Sequence, residues 1–373
     1  MAPEDIDIPS ALRPSDGRFG SGPSKIRPEA VESLCRAATG YLGTSHRRDP
    51  VQRVVGRVRE GLARLFSLPD GYEVVLGNGG SKMFWDALIA GVIESKSQHL
   101  VCGEFSAQFA AAVARAPFLQ PPEVIESEAG TRPLARAAAD VDVYCLIHNE
   151  TSTGVALPVH RVAADGLVAV DATSGAGGMR VDSHEFDIYY FAPQKCFSSD
   201  GGLWIALCSP AAVERIERVA ATDRYAPQSI DPKIALESSR KNQTFNTPAL
   251  ATLFLMAEQI EWMLASGGLE WSAQRCESSA RRLYSWAERS EIATPFVAIE
   301  GERSPVVGTI DFDAAIDAAA IARALRANGI VDTEPYRKLG RNQLRVGMYP
   351  SVEPDDVSLL TQCIDYVAGE LFA

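Results

Sequence analysis

The chain has 373 residues, enough for one large domain and a smaller one. It is 46% hydrophobic and 23% charged, which is typical of a soluble globular protein. The formal net charge of -12 argues against a nucleic-acid-binding surface, because such surfaces depend on clustered Lys and Arg. An anionic small substrate remains compatible with this charge, since a local basic pocket can oppose the net field.

The cysteines and the termini indicate a cytoplasmic protein. There are seven cysteines, an odd number without a CxxC pair, and we interpret them as reduced packing residues that form no metal site. No apolar stretch approaches the roughly 18 residues of a membrane span. The acidic, Pro-containing N-terminus is unlike a signal peptide, and we expect residues 1–18 to form a loose arm.

Two loops precede the first helices. The Gly-rich bend at 19–24 leads into a helix predicted to start near Pro28, and a second helix is predicted from Asp49 as N-cap to about Phe66. His46, Arg47 and Arg48 form a basic cluster just before this second helix. Such a cluster is usually only a solvated part of the surface. Beside the free N–H groups of a helix N-terminus, however, it suits an anion.

A strand, a Gly-rich turn and a helix follow in the segment 72–92. The turn, Gly77 to Lys82, resembles a phosphate cradle, because its glycines let the backbone approach and the helix N–H groups point at the anion. It matches neither the GxxxxGK[ST] pattern nor a clean GxGxxG. The turn therefore favours phosphate binding, and a dinucleotide is not favoured.

Strands and helices alternate from Tyr72 to Cys208, which predicts an α/β fold with a mostly parallel sheet covered on both faces. Polar or aromatic side chains follow several of these strands. Because the carboxyl ends of parallel strands meet at one edge, we expect these side chains to surround a common site. The strands are predicted at 72–76, 100–102, 141–147, 167–170, 187–192 and 203–208, and Thr151, Asp171 and Lys195 follow three of them at this edge. Phe105 follows another strand, and the sequence does not distinguish a core position from one that covers a flat ring.

Lys195 is the centre of the prediction. Pro193 ends the apolar strand before it, because proline cannot donate to a sheet ladder, so Gln194 and Lys195 lie just past a strand end. A lysine there can be partly desolvated, which lowers its pKa and frees the amine to attack a carbonyl. Taken alone, such a lysine is more often a solvated surface group. Asp171 follows four apolar residues and should be buried, so it needs a partner.

The C-terminal part begins with the longest predicted helix. Thr247 is its expected N-cap and Pro248 its first residue, while Gly267 and Gly268 end it. Asn246 and Thr247 could bind an anion, although capping explains them as well. After Gly268 the pattern changes to a smaller α+β domain, with helices at 269–287, 314–328 and 354–371 and strands at 306–312 and 344–348. The predicted domains are 1–18 (arm), 19–267 (large) and 268–373 (small).

The combination of a lysine, a carboxylate, an aromatic ring and a phosphate cradle meets the needs of pyridoxal 5'-phosphate. Its aldehyde requires an amine for a Schiff base, and its ring nitrogen requires a carboxylate to stay protonated. Lys195 lies 24 residues after Asp171 on the neighbouring strand pattern. A Rossmann dehydrogenase is the competing interpretation of the fold.

The motifs SGPS, TSHR, GGS, HNETSTG, VDATS, APQK, FNTP and LRVGMY, in this order, resemble the phosphoserine aminotransferase family. This is a class V group of fold type I pyridoxal-phosphate-dependent transferases, and the chain is similar to it from about Phe19 onward. Divergence is greatest between Asp200 and Asn242, which suits an actinobacterial-like branch.

For the cofactor, the resemblance implies a covalent bond to Lys195, an Asp171 pair with the ring nitrogen, and Phe105 stacked on the ring. It also implies that further residues bond the ring hydroxyl and the phosphate. The residues implied within the same subunit are Ser81, Lys82, Thr151 and Gln194. The other subunit of a homodimer is implied to contribute Asn246 and Thr247.

For the substrates, the resemblance implies that Arg345 takes the α-carboxylate, since a guanidinium can bind it bidentately. His46 and Arg47 are implied to bind the substrate phosphate or side-chain carboxylate. The family's His-Arg-x-x-Gly-Gly segment is replaced here by residues 336–341. Which of its three cations reaches the phosphate stays open: Arg337, Lys338 or Arg341.

The implied reaction is the reversible transamination of 3-phosphohydroxypyruvate with L-glutamate, which gives O-phospho-L-serine and 2-oxoglutarate in serine biosynthesis. A phosphorylated hydroxythreonine-type substrate of vitamin B6 synthesis stays open. The alternative is another class V aminotransferase that acts on a small 2-oxo acid. A cysteine desulfurase is disfavoured, because Cys276 and Cys363 lie in apolar helical surroundings. A regulator that only holds the cofactor is also possible, but no DNA-binding appendage is visible.

Overall fold

A computed structural model describes residues 2–372. The strands are β1 (Glu73–Asn78), β2 (Ser97–Val101), β3 (Glu123–Glu126), β4 (Val143–Ile147), β5 (Asn149–Glu150), β6 (Val155–Ala156), β7 (Leu167–Asp171), β8 (Ile188–Phe191), β9 (Leu203–Cys208), β10 (Ala293–Pro295), β11 (Val307–Phe312) and β12 (Gln343–Gly347). The α-helices are α1 (Pro28–Tyr41), α2 (Asp49–Leu65), α3 (Ser81–Gly91), α4 (Glu104–Val113), α5 (Pro210–Ala220), α6 (Pro232–Ser239), α7 (Leu250–Ser266), α8 (Gly268–Arg289), α9 (Ala318–Ala327) and α10 (Pro354–Phe372).

The central sheet has seven strands in the order β1-β9-β8-β7-β4-β2-β3. All neighbouring pairs are parallel except those of β9, which runs antiparallel to β1 and β8. The predicted α/β fold with a mostly parallel sheet is therefore confirmed. Because β4, β7 and β8 run in the same direction, the segments that follow their carboxyl ends meet at one edge.

Helices cover both faces of this sheet and bury every residue of its five inner strands, β9, β8, β7, β4 and β2. The strand β8 shows how: Tyr189 packs into the core shared with α2 and α7, whereas Tyr190 packs into the core shared with α3 and α6. This alternation follows from the two-residue period of a strand. The predicted apolar stripe of α2 is also present, since its valine and leucine positions are buried.

A second core lies in the C-terminal part of the chain, where α8, α9 and α10 pack with the three-stranded sheet β10-β11-β12. The N-terminal segment, which we expected to be loose, packs into this core. Ile6 and Ile8 are buried there, and the Ile8 N–H donates to Asn328 Oδ1 at 3.0 Å. The predicted domain limits stay a prediction, and their outermost residues, Met1 and Ala373, lie outside the described part.

Two helix starts differ from the prediction. Helix α7 begins at Leu250 and not at Pro248, because Thr247 is used otherwise: its Oγ1 lies 3.1 Å from His46 Nδ1 and its carbonyl accepts from Asn78. Helix α9 begins at Ala318, four residues later than predicted. Here the carboxylate of Asp317 caps the helix by accepting the N–H of Ala319.

No helix within residues 2–372 is both long enough and apolar enough to cross a membrane.

Candidate active site

A cavity of about 340 Å³ opens at the carboxyl edge of the central sheet. It brings together most of the predicted cofactor residues, although they come from strand ends and helix starts far apart in the chain. Its lining consists of Gly80, Ser81, Lys82, Trp85, Phe105, Ile147, Asn149, Thr151, Asp171, Thr173, Gln194 and Lys195.

Lys195 follows β8 and is held in the cavity by the N-terminal turn. Its Nζ donates to the carbonyl of Ser21 at 2.7 Å, and a Cβ on Gly22 would overlap the amine. Burial lowers the pKa of Lys195 to about 8, and the positive charge of Arg345 acts in the same direction. Roughly one tenth of the amine is therefore unprotonated and nucleophilic at pH 7, far more than for an ordinary lysine.

Asp171 ends β7 and is buried, with four hydrogen bonds to its carboxylate. Oδ1 accepts from the backbone N–H and the hydroxyl of Thr173 at 3.0 and 2.5 Å. Oδ2 accepts from Trp85 Nε1 at 3.0 Å and from Tyr190 at 3.2 Å. Burial raises the pKa of Asp171, and these hydrogen bonds oppose the rise. The carboxylate is thus oriented toward the cavity by a fixed set of donors.

The N-terminus of α3, where the sequence predicts a phosphate cradle, lies at the cavity wall. No side chain caps this helix, and the N–H of Met83 donates to the carbonyl of Gly80 at 2.8 Å. The N–H groups of Ser81 and Lys82 are therefore the ones available to an anion. Ser81 is buried and its hydroxyl lies 2.7 Å from that of Thr173. Lys82 is exposed and donates to Gln108 at 2.5 Å.

Phe105, Thr151 and Gln194 line the same cavity as predicted, each in a different setting. Phe105 is partly buried on α4, and Thr151 donates its hydroxyl to Ser174 at 2.8 Å. The Oε1 of Gln194 is buried without a partner among the described residues, and so is the Oδ1 of Asn149. Unpartnered buried oxygens are costly, so both are available to a bound group.

Arg345 extends from β12 toward the site. Its Nη1 donates to the carbonyl of Thr151 at 3.2 Å, and its guanidinium lies 5.3 Å from the centre of the Tyr336 ring. Burial lowers the pKa of Arg345, and its Nε has no partner among the described residues. The guanidinium therefore has donors left for an anion.

Five predicted residues are absent from the cavity lining: Arg345, which still contacts the lining residue Thr151, and four others. His46 is buried beside Thr247, with its Nε2 unpartnered among residues 2–372, and burial lowers its pKa. Arg47, Asn246 and Thr247 are exposed. The single chain therefore separates these four residues from Lys195.

The three cationic side chains of the segment 336–341 lie in three different environments. Arg341 donates to Asp311 at 3.0 Å and lies 4.5 Å from the centre of the Phe296 ring, away from the cavity lining. Arg337 is exposed and has no ion pair within residues 2–372. Lys338 forms an ion pair with Glu104 at the start of α4.

The family model for aminotransferase class-V matches residues 19–334, most of the chain. The chain belongs to the class-V aminotransferase family. A relative from Rhodococcus jostii named phosphoserine aminotransferase is 57% identical over 366 residues, which is 98% of each chain. Class V aminotransferases use pyridoxal 5'-phosphate, so this is the cofactor of the site.

Solved structures show the same fold. A phosphoserine aminotransferase from Cytophaga hutchinsonii has a TM-score of 0.87 at 24% identity, covering 94% of this chain and 99% of that one. A pyridoxamine-pyruvate aminotransferase from Mesorhizobium loti has a TM-score of 0.81 at 19% identity, covering 98% and 94%. Since these two enzymes are named for different activities, fold similarity alone does not distinguish the substrate.

The cavity of this class-V chain fits the cofactor. An amine and a carboxylate face the same space, the free N–H groups of α3 suit the phosphate, and two buried oxygens lack partners. The residues that sequence reasoning missed are Trp85, Asn149 and Thr173. Asn149 and Thr173 lie within the quoted motifs HNETSTG and VDATS, but Trp85 lies in the apolar pattern of α3 and gave no separate signal.

Proposed function

We propose that this protein is a phosphoserine aminotransferase, which transfers an amino group between L-glutamate and 3-phosphohydroxypyruvate to give O-phospho-L-serine and 2-oxoglutarate. The observation that carries the proposal is Lys195, a lysine with lowered pKa in the cavity that also contains Asp171. The 57% identity to the Rhodococcus relative supports this substrate over other class V substrates.

The bound cofactor supplies an electron sink that stabilises the carbanion left when the α-proton is removed. We assign Lys195 as both the covalent anchor and, once released, the base that takes the α-proton and returns it. Asp171, whose carboxylate four hydrogen bonds orient, would hold the cofactor at its ring nitrogen and favour the protonated form of that nitrogen. Arg345 binds the α-carboxylate and thereby directs the α-proton toward Lys195.

The remaining cofactor contacts follow from the cavity lining. We propose that Ser81, Lys82 and the first N–H groups of α3 hold the phosphate, and that Phe105 covers the ring. Thr151 and Gln194 are proposed to bond the ring hydroxyl and the phosphate region.

We propose that the active protein is a homodimer, in which the residues that this cavity does not contain come from the second copy. Asn246 and Thr247 would complete the phosphate site, and His46 and Arg47 would bind the distal anionic group of the substrate. The exposed positions of Arg47, Asn246 and Thr247 support this arrangement, because they are free to face another chain.

A cytoplasmic location fits seven free thiols.

The second core supports the predicted division into a large domain (19–267) and a small domain (268–373).

A desulfurase is disfavoured because Cys276 and Cys363 are fully buried and burial raises the pKa of both thiols.

The test is an assay with O-phospho-L-serine and 2-oxoglutarate in which glutamate release is followed. We expect turnover with phosphoserine and little with alanine or aspartate as amino donor. Lys195→Ala should abolish turnover and the visible absorption of the lysine-bound cofactor. Turnover of a small unphosphorylated donor at a higher kcat/KM would instead favour another class V aminotransferase.

A further inference from the structure

A chain of polar side chains runs along the rim of the cavity and ends on Lys338. Glu104, the first residue of α4, accepts from Lys338 Nζ and from Gln108 Nε2. Gln108 Oε1 in turn accepts from Lys82 Nζ at 2.5 Å. Since Phe105, next to Glu104, lines the cavity, this chain of contacts borders the entrance.

Tyr336 fixes the same loop against the cavity wall. Its ring centre lies 5.8 Å from that of Phe105, and the guanidinium of Arg345 lies 5.3 Å from the same ring. Lys338 follows two residues later and pairs with Glu104, the neighbour of Phe105. The loop therefore holds one cation at the rim of the cavity, on the side formed by the start of α4.

The ion pair between Lys338 and Glu104 is exposed enough to be exchanged. The side chain of Lys338 is 57% exposed and that of Glu104 24%, so solvent screens the attraction. The ion pair raises the pKa of Lys338 and lowers that of Glu104, so both groups stay charged at neutral pH. A phosphate with two negative charges competes for the ammonium more strongly than a single carboxylate does.

We propose that Glu104 is a specificity-determining residue that holds Lys338 in the substrate-free protein and releases it to the distal dianionic group of the substrate, in addition to the His46 and Arg47 that the second copy is proposed to supply. Glu104 then opposes the binding of weakly charged ligands, because they cannot replace the contact that Lys338 loses. This inference rests on the proposed function and deepens it, since it names the selection of phosphorylated over carboxylate substrates.

The test compares single and double variants in both half-reactions. Lys338→Met should raise the KM for O-phospho-L-serine about tenfold, the scale of one charge-assisted hydrogen bond, with a change below about threefold for glutamate. Glu104→Gln should lower the KM for glutamate more than that for phosphoserine, because the freed ammonium can then bind a single carboxylate, and it should strengthen inhibition by inorganic phosphate. In the Lys338→Met background, Glu104→Gln should have no further effect, because the two residues act as one unit.

A matched control is the exposed pair of Lys233 and Glu237 on α6, 3.8 Å apart and outside the cavity lining. Lys233→Met and Glu237→Gln should leave both KM values unchanged. The proposal is overturned if Glu104→Gln acts equally with and without Lys338, or if Arg337→Met reproduces the effect of Lys338→Met. A wild-type protein that does not turn over phosphoserine would overturn the proposed function itself.

Discussion

At the scale of single residues, Trp85 favours the ionised form of the buried Asp171 carboxylate. Burial raises the pKa of Asp171 and favours the neutral acid, which would hold a protonated ring nitrogen poorly. The indole N–H donates to Oδ2 at 3.0 Å and stabilises the ionised form. The ring is also stacked on Phe109, with 5.3 Å between centres, so its position is fixed.

We predict that Trp85→Phe weakens cofactor binding about tenfold, because a hydrogen bond to a charged group contributes roughly 1.5–3 kcal/mol. The measurement is a titration of the cofactor-free protein with pyridoxal 5'-phosphate, followed by absorbance. Trp271→Phe is the control, since Trp271 packs edge-on against Trp262 outside the cavity lining. Equal affinities for wild type and Trp85→Phe would mean that the indole only packs.

Lys195 gives a prediction about stability. Its pKa is about 8 in the folded protein against 10.5 as an ordinary lysine, so between these values the unfolded chain binds the extra proton. The free energy of unfolding therefore rises between pH 8 and pH 10.5. Below pH 8 the amine is charged in both states, and its burial lowers the free energy of unfolding by about 3 kcal/mol, the energy that corresponds to the difference of the two pKa values. Lys195→Met should then stabilise the cofactor-free protein at pH 7.

The measurement is denaturant unfolding of cofactor-free wild type and Lys195→Met between pH 7 and 10.5. The gap in the free energy of unfolding should narrow as the pH rises. Lys241→Met, at an exposed position, should show no such dependence. A gap that stays constant with pH would show that the amine is not destabilised by burial.

At the scale of elements, the turn at 19–24 is a structural part of the site. Gly22 has φ +141°, which a side chain rarely adopts, and its Cα faces the amine of Lys195. The same turn joins Lys195 to the C-terminal part of the chain, because Tyr349 donates to the Ser21 carbonyl that also accepts from Lys195.

We predict that Gly22→Ala displaces Lys195 and lowers kcat by at least about tenfold, because the new methyl group and the amine cannot occupy the same space. The visible absorption of the lysine-bound cofactor should weaken in parallel, and both are measured on purified protein. Gly40→Ala on α1 is the control, since open space surrounds that position. Normal absorption in Gly22→Ala would contradict the assigned contact.

The sequence predicted the fully buried strands better than the short strands and the helix starts, for a physical reason: β2 begins three residues before its predicted start, and β3 and β10 were not predicted. Strand β9 matches its predicted limits, because a run of buried apolar residues between small loops has few other solutions. The start of α7 was wrong, because the hydroxyl of Thr247 contacts His46, 201 residues away in the chain. Local capping rules contain no information on such contacts.

The same limit applies to the site. Strand ends predicted Thr151, Asp171 and Lys195, since topology alone brings them to one edge of the sheet. Trp85 was missed because helical spacing places it with the apolar residues of α3. Its contact with Asp171, 86 residues later, depends on how α3 lies against the sheet.

At the scale of the whole molecule, the N-terminal segment is part of the C-terminal core. Ile8 is fully buried, and Asn328 bonds the backbone of both Ile6 and Ile8. We predict that Ile8→Ala lowers the free energy of unfolding by about 3 kcal/mol, the usual cost of a large-to-small change in a packed core. Denaturant unfolding measures this cost.

The control for this prediction is Val124→Ala, because Val124 is 47% exposed and its truncation should change stability by less than about 0.5 kcal/mol. If Ile8→Ala were as mild as Val124→Ala, the arm would be loose after all.

The shared carbonyl of Ser21 has a consequence for synthesis. Lys195 and Tyr349 both donate to it, and the amide of Gly347 donates to the carbonyl of Phe19. During translation, residues 19–24 and Lys195 emerge long before Gly347 and Tyr349 do. The contacts of this turn with Gly347 and Tyr349 can therefore form only after almost the whole chain has left the ribosome. A shorter, incomplete chain would lack them.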